Sequence, residues 1–308
     1  MLWLKKILNN WYIKVVLLCL ISMIYTGGWC EIKHPLNPNL KLVVGDTLNH
    51  SFHCSYPVVS PTGDVIYYLR ANSDSVRFHE LTFGSIYSIN VDGTNNKEVL
   101  HGMYNALAIS PDGKRLAVHL LTGNYYDPQP ESLIIIYHLS DAKCDTYSTV
   151  KRWIWDIEFA SDTQWLYYSV DAGTSGYNRT EFYRLNLSNS ANELLKTIDE
   201  GIGGFDLTSD DSIYFDLEIA LPQINPTNEK YAIGTPGFEG LVFTLRNIET
   251  HKLDSLAHSL IPYRGSVGYP YWFPNGKDIV FMAKPYSEPL GEIAGEIWIL
   301  ENFFEQIK

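Results

Sequence analysis

Short apolar runs separated by polar turns cover the chain from about residue 56 to 300, and no helical spacing of apolar residues intervenes. ISPDGKRLAV (109–118) is representative: a strand end, a turn and a second strand. Pro111 presets φ near −65°, Asp112 can bond its own backbone, and Gly113 tolerates φ > 0. The stretch recurs. VSPTGDVIYY (59–68) and FASDTQWLYY (159–168) place the same pattern fifty residues earlier and fifty later, and INPTNEKYAI (224–233) and WFPNGKDIVF (272–281) keep the turn followed by an apolar strand.

A second periodic feature runs in phase with the first. SIYSINVDGTNNKEVL (85–100), LIIIYHLSDAKCDTYS (133–148) and EFYRLNLSNSANELLK (181–196) each read as strand, polar turn, strand, with Val91, Leu139 and Leu187 forty-eight apart. Each unit therefore carries four short strands, a to d. Four antiparallel strands repeated at this period predict an all-β chain, a β-propeller of four-stranded blades, with a β-sandwich as the competing architecture. The interval from Ala160 to Asn225 is stretched to sixty-five residues and holds FDLTSDDSIYFDLE (205–218), itself strand, turn, strand. It reads as a reduced blade, giving six; five blades with an inserted hairpin is the alternative. The last unit, ending GEIWILENFFEQIK, supplies strand c and only a short candidate d, so LKLVV (40–44) is expected to close the ring.

At these residues the chain resembles the TolB-type, WD40-like propeller repeat, which is related to the propellers that cap prolyl oligopeptidases. SPDGKRLAV and IYSINVDGTN carry the resemblance, while Ala160, Ser161 and Thr163 stand where the family prefers Ser, Pro and Gly. About twenty-five residues between the N-terminal leader and the first blade leave no room for the family's N-terminal domain. The resemblance implies a propeller, a fold that hosts both binding and catalysis. It implies no hydrolase, since RGSVG (264–268) puts Arg264 where the first Gly of G-x-S-x-G must stand.

The first thirty residues change the picture of where the protein works. Lys5, Lys6 and Lys14 precede an apolar run from Val15 to Tyr25, followed by Thr26, Gly27 and Gly28: the order of a secretory signal over residues 1–28. An uncleaved anchor, or lipid attachment at Cys30, are the alternatives, and they are the only expected membrane connections. Residues 29–55 then form a linker containing the closing strand, and 56–308 the propeller. Removing residues 1–28 takes the net charge from −12 to −15, which disfavours nucleic acid as a partner. Cys54 and Cys144 follow Cys30, too few thiols for a disulfide scaffold.

Loop lengths point to a face. The a–b turns are minimal, whereas the b–c connections at 70–84, 121–132, 171–181 and 284–296 are long. They bring Arg70, Arg77, Tyr125, Tyr126, Tyr177, Arg179 and Tyr286 to one side of the ring, and Tyr and Arg are common interface anchors. Asp156 and Glu158, two apart on a strand, form a carboxylate pair facing one side, more consistent with channel lining than with an acid–base pair. HELTF (79–83) lacks the second His of a zinc motif, and Asp92 and Gly93 suit a hairpin turn rather than a calcium loop. No catalytic residue, metal or cofactor is therefore expected. The expected function is an exported, non-catalytic propeller binding a protein or peptide at the cell envelope, with a carbohydrate-binding or carbohydrate-active propeller as the alternative.

Overall fold

The computed structural model describes residues 32–34, 37–45, 52–72, 83–122, 131–173, 179–236, 239–240, 242–250, 252–257, 266–284, 286–287, 291–292 and 295–306. The first unit consists of Phe52–Val59, Val65–Asn72, Gly84–Asn90 and the start of Lys97–Ile109. That last strand changes partners at Tyr104, which pairs with both Gly84 and Leu120, and so becomes the inner strand of the second unit. The second unit continues through Arg115–Thr122, Glu131–His138 and Cys144–Ser148. Ile154–Phe159, Trp165–Asp171, Thr180–Asn186 and Asn192–Ile198 make the third. A two-stranded sheet follows, Asp206–Leu207 with Ile213–Tyr214. Then come Ala220–Ile224, Tyr231–Thr235, Phe243–Asn247 and Leu253–Ala257. The last unit is Ser266–Trp272, Ile279–Lys284 and Glu296–Leu300, all pairs antiparallel.

Beyond Glu296–Leu300 that sheet continues with strands from the opposite end of the chain, Asn37–Val44 and then Ile32–His34. Asn37–Val44 pairs with Glu296–Leu300, with Leu40 opposite Leu300 and Leu42 opposite Trp298. The C-terminal residues sketched above as a short strand d instead form the helix Phe303–Gln306, whose Phe303 packs edge-on against Trp272 at 5.3 Å. The inner strand of the first unit packs against those of the second and the last, so the sheets succeed one another around an axis rather than lying face to face. The fold is a β-propeller.

Its core is a series of apolar layers between successive units. Ala106, Ile134 and Ile136 of the second unit meet Ile157, Leu166 and Tyr168 of the third; Tyr167 and Phe182 of the third meet Ile202 and Phe205. Leu40, Phe281 and Trp298 of the last unit meet Ile233 and Phe243 of the preceding one. No sheet could hide both faces alone, which is why the strands are rich in Ile, Val, Tyr and Phe. The a–b turns repeat one geometry: Gly63 N–H donates to Ser60 O, Gly113 to Ser110 O and Gly276 to Phe273 O, at 2.8–2.9 Å. These glycines sit at φ 77°, 69° and 63°, and where the glycine is missing Thr163 (φ 59°) and Asp211 (φ 62°) adopt the same left-handed conformation.

Candidate functional site

The inner strands share a bulge in which two residues oppose one on strand b, between Ser55 and Val58, Tyr104 and Leu107, Ile154 and Asp156, Ala220 and Gln223, and Gly268 and Tyr271. The residue four before the a–b turn lies at this bulge. Around the ring that position is Tyr56, Ala106, Asp156, Gly204, Leu221 and Tyr269. Tyr56, Leu221 and Tyr269 have φ 48°, 47° and 52°, although each precedes a proline and would ordinarily be extended. The rings of Tyr56 and Tyr269, from the neighbouring inner strands of the first and last units, lie 4.1 Å apart. Gly204 stands where a Cβ would come within 2.7 Å of Asp156 Oδ2.

Two residues further along, Glu158, Asp206, Gln223 and Tyr271 come from four successive inner strands and form a polar arc. Asp156 accepts hydrogen bonds from the Phe205 and Ile157 amides, both 3.0 Å, and Asp206 accepts from Leu207 and Ile224 at 2.7 and 2.5 Å. Those bonds favour the charged forms, but burial wins: Asp156 is pushed up to about 8 and Asp206 to about 7. Burial, and then the charges of Asp206 and Asp156, hold Glu158 well above the carboxylate range. The space bounded by Asp156, Glu158, Gln223 and the tyrosines is about 30 Å³. That admits a water or two and no sugar ring, so the arc has no room for a glycosidic bond between its carboxyls.

A second polar cluster has the connectivity of a nucleophile, base and orienter. Ser132 Oγ lies 2.7 Å from His119 Nε2, and His119 Nδ1 contacts Asn105 Oδ1, whose amide donates to Ile154 O at 3.1 Å. All three side chains are buried, and burial lowers His119 to about 3. An imidazole held neutral and cut off from solvent is a structural link across strands a, b and c and into the next unit, not a base.

A larger cavity lies elsewhere, on the face where the b–c and d–a connections emerge. It measures about 350 Å³ and is lined by Trp155, Asp171, Arg179, Thr180, residues 201–203 and residues 216–220. Its place follows from the two-stranded unit, which has no strands c and d to raise a loop between its neighbours. Arg246, from strand c of the next unit, donates Nε to Asp216 Oδ2 at 3.0 Å and its Nη2 to Glu218. Arg179 pairs with Glu181 at 3.3 Å, and Thr180 Oγ1 ties the floor by accepting from the Ile202 amide at 2.9 Å and donating to Glu200 O at 3.1 Å. Leu217 stands 59% exposed at the rim beside the exposed Glu218. The site thus offers an indole, an exposed aliphatic side chain and the carboxylates of Asp171, Asp216 and Glu218, the last two paired with Arg246.

The chain matches no protein-family model and no curated relative by sequence. Similar solved structures include TolB from Acinetobacter baumannii, at 15% identity over 80% of this chain and 54% of that one, with a TM-score of 0.38. An acylaminoacyl peptidase in complex with Z-Gly-Gly-Phe-chloromethyl ketone matches at 11% identity over 81% and 46%, TM-score 0.45. A chain of the mitotic checkpoint complex matches at 13% identity over 83% of each, TM-score 0.48. The chain spans about half the length of the TolB and peptidase chains.

Of the residues singled out in the sequence, Arg179 lines the face cavity. Arg70 does not join it: its guanidinium lies 3.8 Å over Phe52 and 4.9 Å over Tyr87, within the first unit. Tyr286 starts a two-residue strand, Tyr286–Ser287, paired with Gly291–Glu292 in the last b–c connection. Tyr125, Tyr126, Tyr177 and Arg77 lie outside the described residues. Trp155, Asp216, Leu217 and Glu218 were missed. Their one signal was the stretched interval around 205–218, since a unit lacking two strands must leave a depression.

Proposed function

We propose that the chain is an exported β-propeller that binds a protein or peptide partner at the cell envelope through its b–c face and catalyses no reaction of its own. The observation that carries this reading is the 350 Å³ cavity over the two-stranded unit, open on the side to which the long connections contribute Arg179. An exposed Leu217 beside the Arg246-paired Glu218 suits a partner presenting an apolar side chain next to a polar one. Tyr125, Tyr126, Tyr177, Arg77 and Tyr286 belong to the same long connections and extend the proposed contact surface. Export rests on the lysines and apolar run of residues 1–28. Among the described residues no helix is long and apolar enough to cross a membrane.

The test is crosslinking of the full-length protein in its own envelope, followed by identification of what copurifies, with wild type beside an Arg179→Ala, Leu217→Asp double variant. Loss of the partner from the variant, with the thermal transition unchanged, is the expected result. Equal recovery from both proteins would remove this face from consideration.

A further inference from the structure

We infer that the protein has a second ligand site, for a pyranose sugar unit, in the cleft between the first and second units on the opposite side of the ring. The cleft measures about 320 Å³ and opens where the a–b and c–d turns lie. That volume is at the lower end of small-molecule sites, about 300–1,000 Å³. It is also about ten times the space enclosed by the channel arc.

The wall comes from one row of the first sheet. Tyr67, Ser88 and Lys97 are directly opposite one another on strands b, c and d, so their side chains project toward the second unit together. Tyr137 and Leu139 of that unit form the facing wall, with Val65 and Val99 at the base. Asn90 and Asn95 line the rim at the c–d turn. Asn95 is held there by a left-handed backbone at φ 58°.

Three features match a sugar rather than a purely apolar or purely ionic ligand. The half-buried Tyr67 supplies a flat, amphipathic surface of the kind that covers the C–H face of a pyranose, beside the largely buried Tyr137. Among the described residues no hydrogen bond engages the phenol hydroxyl of Tyr67 or Tyr137, nor does a carboxylate pair with Lys97, so these donors are open to ligand hydroxyls. The nearby acid is already satisfied: Glu98 accepts from Tyr87 OH at 2.9 Å and lies 2.9 Å from His101 Nδ1. The remaining lining carries one cation, Lys97, among Ser, Asn and Tyr groups that both donate and accept, which fits the hydroxyls and ring oxygen of a sugar. This site does not depend on the partner surface of the other face.

Saturation-transfer NMR of the intact protein with glucose, galactose, mannose, N-acetylglucosamine and glucuronic acid tests the assignment. At least one of these is expected to bind with a dissociation constant in the millimolar range, and Lys97→Ala and Ser88→Ala should each weaken it by about three- to tenfold. Tyr67→Phe retains the ring and serves as the variant least disturbing to packing; it should weaken binding while leaving the thermal transition in place. Absence of transfer from all five sugars overturns the proposal. So does transfer that persists unchanged in a folded Tyr67→Phe, Lys97→Ala double variant. Preference for glucuronic acid that vanishes with Lys97→Ala would assign the acidic member of the class.

Discussion

At single residues, the a–b turns show how conformational demand outlasts the residue type that meets it best. Thr163 and Asp211 occupy left-handed positions that glycine fills in the better-preserved turns, at a cost of about 1 kcal/mol each. Thr163→Gly should therefore raise stability by about 0.5–1 kcal/mol in urea unfolding. Asp211→Gly should not, because the Asp211 carboxylate accepts from the Ser161 amide at 2.8 Å and from Ser161 Oγ at 3.0 Å, joining two successive turns. The channel carboxyls give a second residue-scale effect. Their folded-state affinities for protons are raised, so the folded protein holds protons that the unfolded chain has lost between about pH 4, the ordinary carboxyl range, and the 7 to 8 cited for Asp206 and Asp156. Stability should fall as pH rises through that window. Glu158→Gln should leave stability at pH 4 nearly unchanged and raise it at pH 9, measured as the difference between denaturation curves at the two pH values.

Among the elements, the strand Asn37–Val44 decides whether the ring holds. It completes a sheet that would otherwise end on the apolar edge of Glu296–Leu300, and it buries Leu40, Val43 and Val44. Leu40→Ala removes a side chain packed in the layer containing Phe281, Trp298 and Phe303, and should cost about 2–5 kcal/mol by urea unfolding. The same change in an exposed outer strand, Leu194→Ala, should cost under about 0.5 kcal/mol, since Leu194 is 54% exposed. The two-stranded element has the opposite consequence. Lacking strands c and d, it stabilises its neighbours through Phe205 and Phe215 against Phe182 and leaves the cavity above it.

For the whole molecule, two thiols report on one cooperative structure. Cys54 is fully buried in the first unit's inner strand and Cys144 is exposed on the second unit's outer strand, and neither is in a disulfide. Burial raises both thiols, far more for Cys54. A thiol reagent under native conditions should label Cys144 on mixing and Cys54 only at the rate of global opening. Fast labelling of both at low denaturant would show that the first unit opens independently of the ring.

The turn chemistry of ISPDGKRLAV and its recurrences, with the in-phase strand pairs, made the repeating sheets and the shortened unit at 205–218 readable from residue order alone. Such signals are local: alternation, turn residues and period are properties of neighbours in the chain. Arg179 could be placed in a b–c connection for the same reason, and it lines the cavity beside the two-stranded unit. Asp216, Leu217, Glu218 and Arg246 could not be grouped, since they meet only when sheets separated in the chain are packed side by side. The arc of Glu158, Asp206, Gln223 and Tyr271 likewise has one member per strand, and no spacing rule links them. Sequence determined the wedges, whereas closure around an axis decided what each wedge presents to the others, because burial and charge proximity exist only between elements already brought together.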